Sequence, residues 1–240
     1  MSGHSKWATT HRQKSAADAK KGAVFTKIAN LLTVAAREGG GDLESNFKLR
    51  LAFDKARAAN MPKDNIQRAI DKGTGNSKDG ANFEEAAYEV VGPAGSGFIV
   101  EAITDNKNRT VADLKAILNK NGGQLGSANS VAWMFERKGQ IIINAAGLDD
   151  DKELEIIDSG ADDIDKGGDE WIVYTAVEQL NAVSKALKEK GIEIKEAGLV
   201  YSAKDQLEIN NPEDQEKIER LYNLIDDMDD VSNVYTNANW

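Results

Sequence analysis

Apolar residues in this chain recur at helical spacing as far as Ile70, and from Tyr88 onward they switch between strand and helix spacing. The change falls on Gly73 to Asn82, a stretch of Gly, Asn, Ser and Asp that favours turns over regular structure. The chain therefore reads as an all-helical start, a linker and a mixed α/β remainder.

The helical part resolves into three elements. The spacing predicts a helix from Lys14 to about Arg37, with Val24, Ile28, Leu31 and Ala35 on one stripe and Phe25 and Leu32 beside it. Gly39, Gly40 and Gly41 end it, since glycine accepts the left-handed cap conformation. A second helix is expected over Glu44–Asn60, where Phe47 pairs with Leu51 and Leu49 with Phe53. A third starts with Asn60 as N-cap and Pro62 in the first turn, buries Ile66, Ala69 and Ile70, and stops at Gly73. Lys63, Gln67 and Arg68 then face outward. The short Asn60-Met61-Pro62 connection has the length found in a helix-turn-helix, and also in many helical hairpins.

Beyond the linker, strands are expected at Tyr88–Val91 and Phe98–Thr104 around a glycine-rich turn. A helix follows, capped by Thr110 with Asp113, and then a strand through Val131, Trp133 and Phe135. A second cycle runs from Ile141 to Ser202 in the β-α-β-β-α-β order of ferredoxin-like domains. The tail adds a helix from Asn211-Pro212 and a strand over Val231–Thr236, which complete the unfinished first sandwich. The expected class is thus α+β multidomain: a three-helix basic bundle and two α/β sandwiches, the third domain inserted in the second. The expected divisions are 1–75, 76–138 with 206–240, and 139–205.

Charge follows the same division. Residues 1–75 carry 14 Lys and Arg against 7 Asp and Glu, and the remainder carries 16 against 33. A chain of net charge −10 therefore contains a cationic module. Its densest part holds His4, Lys6, Trp7, His11, Arg12, Lys14, Lys20 and Lys21, including both histidines of the protein. Cations suit phosphates and a flat ring suits a base, so this arm is expected to meet a polyanion. Lys27, Lys63 and Arg68 extend the patch.

Several chemistries are hard to build from these residues. There is no cysteine, so disulfides, thiolate metal sites and cysteine nucleophiles are excluded. With histidines only in the arm, Ser/His triads and His-ligated metals have few candidates. Asp162 to Gly168 resembles a calcium loop, but Tyr174 stands where the twelfth-position Glu is needed, so a polar loop is expected. Gly92–Gly97 lies between strands and lacks the Lys-Ser/Thr of a P-loop. Thr104 to Thr110 closes on a helix N-terminus, where an anion is stabilised, and Arg109 offers a second nucleic-acid contact there. Asp226, Asp227, Asp229 and Asp230 stand at a helix C-terminus, where the dipole opposes them.

The opening Gly3-His4-Ser5-Lys6-Trp7, the segment Phe25-Thr26-Lys27, the run Gly39-Gly40-Gly41-Asp42, Asn60-Met61-Pro62-Lys63-Asp64, Gly92-Pro93, Thr104 to Thr110 and Gly122-Gly123 together resemble the YebC/PmpR family. That family also includes the mitochondrial translational activator of cytochrome c oxidase. The resemblance covers essentially the whole chain. It implies one helical and two α/β domains and a cytoplasmic, non-enzymatic regulator of gene expression, binding DNA as a transcriptional regulator or acting on translation at the ribosome. The chain departs from the family in the arm at Thr10 to Lys14, where a further basic residue is more usual, at Tyr88 to Gly95 and at Leu43.

The expected function is nucleic-acid binding through the basic arm, with no cofactor and no membrane contact. A ribosome-associated factor on ribosomal RNA is the alternative, and an adaptor using its acidic α/β part for protein partners is a second one.

Overall fold

The computed structural model describes residues 21–75 and 83–240. They fall into two compact units: residues 136–202 form one, and the described residues on either side of that segment form the other.

The larger unit begins with helices α1 (Lys21–Gly39), α2 (Phe47–Ala58) and α3 (Lys63–Gly73). Their core joins Ile28, Leu32 and Ala35 to Leu49, Ala52 and Ala56 and to Ile66, Ala69 and Ile70. The alanines let the helices approach closely. Gly73 is required for the same reason: a Cβ there would lie 2.3 Å from the Thr33 carbonyl oxygen.

Asn46 joins α1 to α2. Its Oδ1 accepts from Leu49 N at 3.0 Å, which caps α2, and its Nδ2 donates to Ala35 O at 2.7 Å and Gly40 O at 2.8 Å. The second helix therefore starts after Asn46 and not at Glu44, because this carboxamide satisfies both helix ends at once. Asn60 is likewise not the N-cap of α3. It adopts φ +57° after α2, Asn60 N–H donates to Arg57 O and Met61 N–H to Ala56 O. This is a Schellman ending with Asn in the glycine position. Pro62 takes the cap position of α3.

The chain then runs β1 (Glu84–Val91), β2 (Gly97–Thr104), α4 (Lys107–Lys120), β3 (Gln124–Leu125), β4 (Phe135–Asn144), α5 (Asp150–Asp158), β5 (Asp163–Gly167), β6 (Glu170–Thr175), α6 (Leu180–Glu189), β7 (Ile194–Ala203), β8 (Leu207–Glu208), α7 (Pro212–Asp226), β9 (Val231–Thr236) and β10 (Ala238–Asn239).

In the larger unit the sheet order is β3-β1-β2-β9. Val90, Phe98, Val100 and Val234 from the sheet pack on Leu114, Leu118, Ile218, Leu221 and Ile225 from α4 and α7. In the unit of residues 136–202 the order is β5-β6-β4-β7, with α5 and α6 in the β-α-β-β-α-β succession. Ile141, Ile143, Ile156, Val173, Leu180, Val183 and Leu187 are buried there. The class is the expected one: a helical bundle and two antiparallel α/β sandwiches, the last inserted into the chain of the one before.

Three local expectations are corrected. Val131 to Phe135 is not a strand; Ala132–Met134 forms a 3-10 turn, and β3 is Gln124–Leu125. The cause is Glu89, whose carboxylate accepts from Asn129 N at 2.6 Å, Val131 N at 2.7 Å and Ala132 N at 2.8 Å. Those N–H groups are not free for a ladder. Asp162 to Gly168 is not a loop, since Asp163–Gly167 is strand β5, paired in register with β6. It lies at the sheet edge, where charged residues are normal and hide the alternation. Thr110 does not cap α4. Asn106 does, accepting from Arg109 N at 3.1 Å, and Thr110 is fully buried inside the helix.

Candidate nucleic-acid interface

Helices α2 and α3 carry exposed cations. Arg57, Lys63 and Arg68 are exposed. On α3 the core residues Ile66, Ala69 and Ile70 take one side. The i, i+4 pair Arg68 and Lys72 therefore shares another. Arg68 is oriented locally, its Nε donating to Asp64 O at 3.1 Å and its terminal nitrogen to Asn65 Oδ1 at 2.5 Å. Lys72 Nζ stands 5.0 Å from the Phe83 ring centroid. Among the described residues, no carboxylate is ion-paired with any of these four cations.

Other cations are ion-paired, Lys48 of α2 with Glu38 at 2.8 Å and Glu85 at 2.7 Å among them, and so are several on the α/β elements. Lys107 pairs with Glu84 at 2.5 Å, Lys195 with Glu170 at 2.8 Å, Lys152 with Glu155 at 2.8 Å, and Lys166 with Glu153. Paired charges have less to gain from a phosphate than unpaired ones.

Two residues expected at the interface are engaged inside the protein. Lys27 is half-buried and its Nζ donates to the Asp226 carbonyl at the end of α7. Burial lowers its pKa, against the pull of the Asp226, Asp227 and Asp229 carboxylates. A cation at that helix end offsets the unfavourable acids, which gives the acidic run an internal partner. Arg109 is held by Asp230 Oδ1 at 2.9 Å and Oδ2 at 3.0 Å, and by Asp105 at 3.0 Å. Thr110 Oγ1 donates to Asp230 Oδ2 at 2.7 Å, and Ile103 N–H to Asp230 O at 2.7 Å. The anion expected at the start of α4 is thus the protein's own Asp230.

Of the remaining sequence-predicted residues, Lys63 and Arg68 are exposed on α3, Lys63 as its first residue. His4, Lys6, Trp7, His11, Arg12, Lys14 and Lys20 lie outside the described residues, and Lys21 is the first residue of α1. Sequence reasoning passed over Arg57 and Lys72. The i, i+4 spacing of Lys72 from Arg68 was the signal that would have found the second of them.

Among the described residues no helix is long and apolar enough to cross a membrane, and no group of three His, Asp or Glu is placed to hold a metal ion.

A helical bundle with exposed cations, followed by an antiparallel α/β sandwich interrupted by a ferredoxin-like one, defines a distinct class of three-part protein. Residues 5–76 match the model of the TACO1/YebC protein N-terminal domain, and residues 83–238 that of the TACO1/YebC second and third domain. The chain belongs to the TACO1/YebC family. It is 46% identical to a probable transcriptional regulatory protein of Desulfatibacillum aliphaticivorans, over 99% of this chain and 96% of that one. It is also 46% identical to another of that description from Thermoanaerobacter pseudethanolicus, over 99% and 97%. The crystal structure of a conserved hypothetical protein from Aquifex aeolicus is similar with a TM-score of 0.85 and 38% identity, covering 92% of this chain and 91% of that one.

Proposed function

We propose that this protein is a non-enzymatic regulator of gene expression that binds nucleic acid through its helical N-terminal part. The observation that carries the reading is a set of cations on the bundle, Arg57, Lys63, Arg68 and Lys72, that have no carboxylate partner among the described residues, although Lys48 and Arg50 of α2 are ion-paired. The names of the relatives support a role in transcription. In this reading the basic arm from His4 to Lys21 adds further phosphate contacts, and Trp7 adds a stacking surface. The acidic remainder repels the nucleic-acid backbone and so limits binding to one face.

A second reading gives residues 136–202 a protein partner. It is favoured by Leu154 and Ile157, which are 60% and 47% exposed on α5 among Asp150, Asp151 and Asp158. Exposed apolar side chains in a polar rim are a common feature of protein contacts.

Crosslinking in cells, followed by sequencing of the recovered nucleic acid, tests the first reading. The control is a variant with Lys63, Arg68 and Lys72 changed to Ala. Recovery at discrete promoter DNA, lost in the variant, is the expected result for a transcriptional regulator. Recovery in ribosomal RNA instead assigns the protein to translation. Equal recovery from both proteins, or none from either, removes the reading.

A further inference from the structure

An open groove of about 370 Å³ lies between α1 and α3. Phe25, Asn30 and Thr33 line it from α1, and Asn65, Arg68 and Lys72 from α3. Each set repeats at three to five residues along its helix, so two parallel rows of side chains face one another. The floor is fixed. Thr33 Oγ1 donates to Ala29 O at 2.8 Å and lies 3.1 Å from Ala69 O, which ties the helices together.

The groove's polar groups are not all satisfied internally. The half-buried Asn30 carboxamide has no hydrogen-bond partner among the described residues. Asn65 uses its Oδ1 for Arg68, which leaves its Nδ2 for a ligand. Arg68 and Lys72 supply two positive charges, and among the described residues no carboxylate lines the groove. Among the described residues the Phe25 ring is the one aromatic surface on the wall.

This set matches one chemical object. A carboxamide presents a donor beside an acceptor, as the edge of a nucleobase does. A ring stacks on the base face, and the cations neutralise the adjoining phosphate. The volume falls in the range of small-ligand sites, roughly 300–1,000 Å³. A base within a duplex has its faces stacked and its pairing edge used, so only an unpaired base can enter. We infer that the groove between α1 and α3 receives one unpaired nucleotide of a single strand. Asn30 and Asn65 read its edge, Phe25 stacks on it, and Arg68 and Lys72 hold its phosphate. The inference rests on the nucleic-acid reading above and adds to it a preference for unpaired strands.

The test uses the full chain and fluorescence anisotropy with oligonucleotides of about twelve residues, a length that spans one binding patch. Single-stranded RNA, single-stranded DNA and a duplex of the same sequence are compared. Asn30→Leu removes the amide and keeps a side chain of similar shape; Phe25→Leu removes the ring and keeps an apolar side chain against the core. Both keep the charge. Each variant is expected to weaken single-strand binding roughly tenfold, the scale of one lost base stack. Duplex binding and the salt slope stay unchanged. The arm with the larger loss distinguishes RNA from DNA. Should Phe25→Leu melt early, Asn30→Leu decides. Single-strand affinity unchanged by Asn30→Leu, or an equal loss on duplex, overturns the groove while leaving the cationic surface standing. No binding of any oligonucleotide by the unaltered chain overturns both.

Discussion

Asp230 grips Arg109 through both carboxylate oxygens, at 2.9 and 3.0 Å, across 121 positions of sequence. The same carboxylate accepts from Thr110 and lies 3.3 Å from Thr104 Oγ1. One side chain at the start of β9 thus anchors the end of β2 and the first turn of α4. Asp230→Ala is expected to destabilise the fold by about 1–3 kcal/mol, because it removes the carboxylate acceptor of the buried Thr110 hydroxyl; Arg109 keeps Asp105. Urea denaturation measures it. Arg109→Ala, by contrast, is expected to leave nucleic-acid affinity nearly unchanged, since its guanidinium is already engaged.

Asn46→Ala removes an N-cap and two carbonyl partners in one substitution. The expected loss is about 2 kcal/mol, at the upper end of single-cap effects. Asn46→Asp keeps the capping acceptor and loses both donors, and should fall further below wild type than a simple cap exchange would. Midpoints of urea unfolding for the two variants check the order.

Glu89 gives a pH-dependent contribution. Burial raises its pKa, but the N–H groups of Val131, Ala132 and Asn129 and the Ser130 hydroxyl outweigh this, and the net shift is downward. A carboxyl with a depressed folded-state pKa contributes stability that is present above its unfolded pKa of about 4.3 and is lost as pH falls through the folded value. Glu89→Gln should therefore narrow the melting difference between pH 7 and pH 3 relative to wild type. An unchanged difference would show that Glu89 carries none of it.

Binding should be steeply salt-dependent. If about five phosphates are neutralised, log K falls against log salt with a slope near −4 to −5 on duplex DNA. Changing Lys63, Arg68 and Lys72 to Ala should make the slope shallower by about 2.7. Lys27→Met should leave it unchanged, because that ammonium is directed to the Asp226 carbonyl. A shallower slope for Lys27→Met would mean that the lysine leaves α7 to meet the ligand.

The helices of the bundle were legible because their signal is local. Ile66, Ala69 and Ile70 declare a buried face through spacing alone, and Gly39 to Gly41 declare an end. The β5 strand was not legible: at a sheet edge, Ile164 is the only large apolar residue between Asp163 and Gly167. Nor was the fate of Val131 to Phe135, whose alternation reads as a strand until Glu89, about forty positions earlier, captures its N–H groups.

By itself the sequence determined the three helices, the change to α/β at the linker, the ferredoxin-like succession after Gly139 and the excess of cations in the first 75 residues. These depend on period, turn chemistry and composition, which are properties of neighbours in the chain. Tertiary structure alone decided which cations are available. Lys27, Lys63, Arg68 and Arg109 look alike as letters. Lys27 and Arg109 meet Asp226 and Asp230, residues far along the chain, whereas Lys63 and Arg68 have no carboxylate partner among the described residues. Coulomb interactions act over a few ångströms of space whatever the separation in sequence, so only the fold could tell the paired charges from the free ones.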